Sequence, residues 1–310
     1  MIFCEPLFCR KPTYEIDGRG TNGEVKVALT NDWHLSRITS SKQRKFLKSR
    51  LEQIRPDVII LQGDLFDTPK SFLDSELVME LKKSMQLCAK IAPTVMVVGN
   101  HDQMLARRGQ AKSHAEFLAQ VFPNVMGEWR RICRETGVKL LVDSWFEIKG
   151  LRIFGFYQDP EAYYAEPHVK NENYAEMKRK IRQLARDGEL EFKDGKTHWF
   201  VAHAPINDLY RMKELRGFDV FSFGHTHGGC VPMGADWLED LCGGHWGLIA
   251  PMKKIFPARF MRGREKLKNG ASYIVNSGMV AMQESAPRPL HYLNWLKPAE
   301  VTEVIIRSRR

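Results

Sequence analysis

Short motifs along the chain, Asp32-Trp33-His34, Gly63-Asp64, Gly99-Asn100-His101-Asp102, His203 and Gly224-His225-Thr226-His227, offer four histidines, two aspartates and an asparagine as candidate metal ligands. The candidate ligands are Asp32, His34, Asp64, Asn100, His203, His225 and His227. That is about the number two adjacent metal ions need. The donors are imidazole, carboxylate and amide, with no thiolate. Such a set suits manganese, iron, zinc or nickel better than calcium or a cysteine-bound structural zinc. A single carboxylate can bridge two ions, and Asp64 is best placed to do so. Two ions about 3.5–4 Å apart lower the pKa of a shared water and clamp a phosphoryl group. The chemistry expected is therefore that of a dinuclear metal-dependent hydrolase acting on phosphate esters.

The elements that must position these residues can be read from apolar periodicity. Each motif ends an apolar, β-rich run. Strands are expected at 25–29, 57–61, 94–98, 197–202 and 219–223. Helices are expected at 40–54, stopped before Pro56, and at about 74–91, stopped before Pro93. This alternation implies a parallel βαβ core. Ser113 and Glu116 resemble a capping box on a further helix. Residues 138–157 read as two strands around Lys149-Gly150, and 171–187 as a charged helix. Three more strands are expected between 271 and 306.

Asp32 and His34 are two apart, as are His225 and His227. In extended chain such pairs point to one side. Asp64, Asn100 and His203 follow strands, so all ligands are expected along the C-terminal edge of one sheet, where open α/β sheets place their sites. Glycines 63, 99 and 224 would let the backbone turn beside the ions.

The 310 residues suffice for a sizeable core without disulfides. No stretch approaches the roughly 18 apolar residues of a membrane span, and residues 1–10 lack the features of a secretory signal. Six cysteines (4, 9, 88, 133, 230 and 242) are scattered, as in a reduced, cytoplasmic protein. Cys4 and Cys9 lack the second close pair that a zinc site would need. The net charge of +10 attracts polyanions and tilts weakly toward a phosphate-bearing partner. No linker or composition shift divides the chain. A single domain over 1–310 is expected, with 1–23 as an irregular or hairpin-forming leader.

These motifs, in this order, resemble the calcineurin-like metallophosphoesterase superfamily, whose signature is D-x-H, G-D, G-N-H-[DE], H and G-H-x-H. The resemblance covers roughly 25–280. It implies an α/β fold in a four-layer α/β/β/α sandwich and a dinuclear centre. Asp32, His34, Asp64 and His227 would hold one ion; Asp64, Asn100, His203 and His225 would hold the other. It also implies that His101 is no ligand but faces the substrate, stabilises phosphoryl charge and protonates the leaving oxygen, with Asp102 orienting it. A metal-bound hydroxide would attack phosphorus in line, and manganese is the first choice of ion. Trp33 is bulkier than usual at its position and is expected to shape the site wall. Asp67 either supports a ligand from behind or begins a helix.

Substrate choice is expected to lie in residues 228–270. This stretch carries Trp237, His245, Trp246, Phe256 and Phe260 among Lys253, Lys254, Arg259, Arg262, Arg264, Lys266 and Lys268. Aromatics among cations can stack bases and neutralise phosphates, although a solvated basic loop is the simpler account. Gly63 to Asp67 resembles SbcD-like DNA nucleases, whereas 224–229 looks more like stand-alone bacterial or phage-type phosphoesterases. The expected activity is a stand-alone phosphodiesterase or phosphomonoesterase, with nucleic acid or nucleotides as candidate substrates. An SbcD-like nuclease is the alternative, and a non-catalytic binding module the remote one. Oligomeric state is not legible.

Overall fold

The computed structural model describes residues 9–21, 23–36, 41–103, 124–159, 172–193, 195–230, 262–280 and 298–308. The capping-box helix near 113–121 and most of the aromatic and basic stretch lie outside the described residues. Fourteen strands are described: β1 (Cys9–Arg10), β2 (Thr13–Gly18), β3 (Val25–Thr30), β4 (Val58–Leu61), β5 (Thr94–Met96), β6 (Lys139–Leu140), β7 (Ser144–Ile148), β8 (Leu151–Gly155), β9 (Thr197–Val201), β10 (Val220–Phe223), β11 (Gly263–Lys266), β12 (Ser272–Val275), β13 (Ala299–Glu300) and β14 (Thr302–Ser308). The described α-helices are α1 (Ser41–Ile54), α2 (Ser75–Ile91), α3 (Val125–Thr136) and α4 (Glu172–Arg186).

Two six-stranded sheets form, in the orders β2-β14-β3-β4-β5-β6 and β11-β12-β10-β9-β8-β7. They pack face to face. Val25, Val27, Leu29, Ile60 and Val95 from the first meet Ile153, Trp199, Val201, Val220 and Ile274 from the second, all essentially fully buried. Strands apolar on both faces are what a doubly covered parallel sheet demands. The outer face of the first sheet buries Leu51, Leu81, Met85, Trp129 and Ile132 from α1, α2 and α3. The outer face of the second buries Met177 and Ile181 from α4, with Leu209 and Leu215 from short 3₁₀ turns. The result is the expected four-layer α/β/β/α sandwich.

Local chemistry sets the helix limits. Asp74 caps α2, its carboxylate accepting from the Glu76 and Leu77 amides at 3.1 and 3.3 Å. The helix stops at Ala92, before Pro93. Gly137, at φ +76°, closes α3, a helix that no sequence signal had marked.

Two expectations are corrected. Among the described residues, the 1–23 leader is neither irregular throughout nor a hairpin: β2 runs parallel to β14, and β1 parallel to β13. A β pattern shows a pairable edge but not its partner, and here the partner lies nearly 290 residues away. Moreover, the ligand-bearing strands belong to two sheets, not one. β3, β4 and β5 are parallel neighbours in the first, and β8, β9, β10 and β12 in the second. Their C-terminal ends converge across the sandwich.

Candidate metal centre

The first sheet delivers Asp32 and His34 after β3, Asp64 after β4, and Asn100 and His101 after β5. The second delivers His203 after β9 and both His225 and His227 after β10. Of these, Asp32, His34, Asp64 and His203 are completely buried, and Asn100 and His227 nearly so. The i, i+2 pairs do converge, but not through extended chain. Asp32, His34, Asp64, His225 and His227 all have positive φ, between 41° and 70°. They are five of the nine non-glycine residues with positive φ among those described. Left-handed backbone in a non-glycine residue costs of order 1 kcal/mol or more and persists where its surroundings over-determine it. Here the loops after β3 and β4 lie side by side: the amides of Asp32, His34 and Leu35 donate to the carbonyls of Gly63, Asp64 and Leu65 at 3.0, 3.1 and 2.9 Å.

The donor atoms face one another. His34 Nε2 stands 3.7 Å from Asp32 Oδ1 and 3.8 Å from Asp64 Oδ2. His227 Nε2 stands 3.6 Å from Asp32 Oδ1. On the other side, His203 Nε2 is 3.1 Å from both Asp64 Oδ2 and Asn100 Oδ1, and 3.2 Å from His225 Nδ1. Ligands about 2.0–2.2 Å from a shared cation stand about 3–3.6 Å apart. Asp32, His34 and His227 thus form one group able to hold an ion, and Asp64, His203 and His225 another. Asp64 Oδ2 faces both.

Hydrogen bonds behind the rings select which nitrogen faces inward. His203 Nδ1 donates to the Gln62 carbonyl at 2.7 Å, and His227 Nδ1 to the Val280 carbonyl at 2.8 Å. Each leaves Nε2 for the centre. His34 Nδ1 is 3.5 Å from Asp67 Oδ1, so Asp67 stands behind the His34 ring; the short helix that follows is capped by Thr68 instead. The fit to a cation rests on the Asp32 carboxylate. Its Oδ1 is buried, accepts no hydrogen bond, and points at two imidazoles. Such an atom needs a positive partner.

The electrostatics agree. Burial works to raise the Asp32 and Asp64 carboxyls, but the surrounding histidines overrule it and hold both well below the usual carboxylate range. Burial alone would lower His34 and His203, yet their carboxylate neighbours push them up to about 10 and about 9. His225, buried beside His203, is pulled down to about 3. Without an ion, a proton on His34 and another on His203 serve as the cation.

His101 sits beside this cluster, its ring edge-on to His34 with centroids 4.7 Å apart. Its amide donates to Asp64 Oδ1 at 2.8 Å and its Nδ1 to the Asp67 carbonyl at 2.7 Å. Asp102 does not orient it. The Asp102 carboxylate accepts from the backbone amides of Asp64, Leu65, Phe66 and Gly99 at 2.8–3.1 Å. It ties the Gly63-Asp64 loop to the loop after β5 and so fixes Asp64 from behind. Burial and the Asp64 charge raise its carboxyl to about 7, against these amides. Trp33 is likewise no wall: its indole is buried under the first sheet and donates to Thr30 Oγ1 at 2.8 Å.

Three neighbours escaped the sequence reading. Asn31 donates its side-chain amide to Asp32 Oδ2. Gly278, at φ +72°, packs so closely that a Cβ there would stand 2.6 Å from Asp32 Cβ and 2.8 Å from Oδ2. Asn276 braces the same loop, accepting from the Gly278 amide at 2.7 Å and donating to the Leu29 carbonyl at 3.1 Å. The asparagine and glycine after the apolar run 272–275 were the available signal. Gly63 answers the expectation of tight approach, since a Cβ there would lie 2.6 Å from the Gly99 amide nitrogen.

A doubly covered α/β sandwich with buried histidines and carboxylates converging at its strand ends defines a metal-binding class of protein. The profile of the calcineurin-like phosphoesterase family matches residues 25–229. The chain belongs to that family. Among curated proteins it is similar to the SbcD component of the SbcCD nuclease of Staphylococcus epidermidis, 35% identical over 89 residues, and to that of Staphylococcus saprophyticus, 35% over 88. Each match takes in 25% of this chain and 23% of the relative, so it spans about a quarter of those relatives' length. Among solved structures, the phosphopantetheinyl hydrolase PptH of Mycobacterium tuberculosis aligns at 13% identity and a TM-score of 0.43, over 82% of this chain and 89% of that one. A dimetal phosphatase of Danio rerio aligns at 12% and 0.41, over 83% and 88%. No helix among the described residues is long and apolar enough to cross a membrane.

Proposed function

We propose that this protein is a metal-dependent phosphoesterase that hydrolyses phosphodiester or phosphomonoester bonds. Asp32, His34, Asp64 and His227 would hold one divalent ion, and Asp64, Asn100, His203 and His225 a second. The observation that carries the reading is the convergence of these side chains, from two sheets, on both sides of one buried carboxylate, Asp64. Manganese is the first choice of ion, with iron, zinc or nickel as alternatives. Bound there, the pair would supply Lewis acidity to the phosphoryl oxygens and lower the pKa of a water.

The chain's own residues do the rest. Asp102 and the Asp67 carbonyl hold Asp64 and His101 in place before substrate arrives. The Nδ1–H bond to Asp67 leaves His101 Nε2 as the atom for the substrate. A phosphate anion beside that ring favours its protonated form. The proton on Nε2 then moves to the leaving oxygen as the ester bond breaks. One domain over 1–310 and a cytoplasmic setting belong to the same reading; the pairing of β2 with β14 supports the former.

The 35% identity to the SbcD component of the SbcCD nuclease over 89 residues favours a second reading, a nuclease acting on DNA or RNA. The test is bound-metal analysis followed by hydrolysis of an aryl monoester, an aryl diester, a cyclic nucleotide and single-stranded nucleic acid, each with manganese. Turnover of strands alone, falling steeply with salt, would select the nuclease. No turnover of any with any divalent metal would leave only a binding module.

A further inference from the structure

Asn100 and His203 follow β5 and β9, which lie in different sheets, so no strand ladder joins their loops. Their donor atoms nevertheless stand 3.1 Å apart. The His203 ring meets the first sheet, but its backbone is held from elsewhere. The His203 carbonyl accepts from the Gly224 amide at 2.8 Å, continuing the β9–β10 pairing. One residue on, that ladder is over, and buried backbone groups need other partners. Ala204 turns both of its groups to the Gln158 side chain, which follows β8. Its amide donates to Gln158 Oε1 at 2.7 Å, and its carbonyl accepts from Gln158 Nε2 at 3.0 Å. Gln158 is buried, so water does not compete for these bonds. An amide side chain thus stands in for a neighbouring strand.

Tyr157 points the other way, as consecutive residues leaving a strand do. Its hydroxyl donates to Gln103 Oε1 at 2.7 Å, and Gln103 Nε2 donates to the Gly99 carbonyl at 3.1 Å. The Gln103 amide closes the same turn on the Asn100 carbonyl at 3.1 Å. The dipeptide is itself tied down. The Tyr157 amide donates to Asp143 Oδ1 at 3.0 Å, and its carbonyl accepts from Lys180 Nζ at 2.6 Å. Lys180 and Asp143 complete the frame as an ion pair at 2.9 Å. One anchored dipeptide therefore grips the Asn100 loop with its first side chain and the His203 loop with its second.

We propose that Tyr157 and Gln158 are positioning residues that keep Asn100 and His203 close enough to share the second ion. The proposal rests on the phosphoesterase reading and its two-ion centre. Each residue acts through a loop rather than on an ion or a substrate. Losing such support behind a ligand costs about 10- to 100-fold in metal affinity. None of the bonds just named reaches Asp32, His34 or His227, so the first ion is spared.

The full chain, stripped of metal, is titrated calorimetrically with manganese as wild type, Gln158→Met, Tyr157→Phe and, as a control, Ile181→Val in the core under α4. Gln158→Met keeps the volume and loses both bonds; Tyr157→Phe removes one hydroxyl and decides the matter should Gln158→Met not fold. The expected result is two ions in the wild type and, in Gln158→Met, a second ion weakened about 10- to 100-fold with the first unchanged. Tyr157→Phe weakens the second ion less. Ile181→Val lowers Tm and keeps both ions. Excess manganese restores kcat in both dipeptide variants, which a loss of folding would not allow. Two ions held equally well by the wild type and both variants overturn the proposal alone, as does equal weakening of the two ions. A wild type that binds fewer than two ions overturns the two-ion reading and the proposal together. Two ions bound without hydrolysis of any ester refute the phosphoesterase reading and leave the positioning role to be judged by the ion affinities.

Discussion

Metal loading should expel close to two protons near neutral pH. In the metal-free centre His34 and His203 are held at about 10 and about 9, so both are protonated at pH 7. His225, at about 3, is already neutral, and Asp32 and Asp64 are already ionised. An ion beside Asp32 displaces the His34 proton, and one beside Asp64 the His203 proton. Removing those protons at pH 7 costs about 4 and about 3 kcal/mol at about 1.4 kcal/mol per pH unit. Each apparent affinity should accordingly rise about tenfold per pH unit between 7 and 9. Calorimetric titration in two buffers of different ionisation enthalpy counts the protons released. The same linkage acts on stability. Both histidines lie above their unfolded value of 6.5, so their contribution is full below pH 6.5 and disappears as pH climbs through 9 to 10. Chelated protein should lose Tm across that window, and loaded protein should not. Release of no protons, or affinities flat from pH 7 to 9, would refute the protonation pattern.

Other outcomes follow from particular contacts. Asp64→Ala and His203→Ala should abolish hydrolysis and lower bound metal; full activity in either purified variant sinks the ligand assignment. His101→Ala should cost about 10²- to 10⁴-fold on alkyl esters, whose leaving oxygen needs a proton, and far less on p-nitrophenyl esters; equal losses on both would exclude the acid role. Gly278→Ala combines positive φ with a collision at Asp32 and should destabilise by about 1–3 kcal/mol while weakening metal binding on the Asp32 side, read by Tm and metal titration. His198 accepts from the Lys193 amide at 3.1 Å, and burial pulls it down to about 4. With its folded value below 6.5, its contribution is full above pH 6.5 and lost as pH falls toward 4. In His198→Gln, the acid-side decline of Tm should be shallower.

The sequence carried what is local. The apolar runs marked β3, β4, β5, β9 and β10, the prolines stopped α1 and α2, and the motifs at their ends supplied the donors. What it could not carry is set by distant partners. Periodicity showed that residues 13–18 could pair, not that β14 would take them. The i, i+2 spacing placed two donors on one side for the wrong reason, because the left-handed backbone is imposed by the neighbouring loop. Asp102 follows His101 in sequence, yet the carboxylate reaches back to four amides. Trp33 looked like a wall because it is bulky for its position, but positive φ on either side turns its indole into the core.

The placement of β14 also bears on how the centre comes into being. Lying between β2 and β3, it forms the flank of the strand that carries Asp32. Ribosomal synthesis delivers β3 some 270 residues before β14, so that edge of β3 stays open until β14 has been made. Non-local pairing of this kind is slow and exposes unpaired strand edges meanwhile. If Asp32 and its partners hold the proposed ions, their capture would be a late event, deferred until residues 302–308 have emerged and docked.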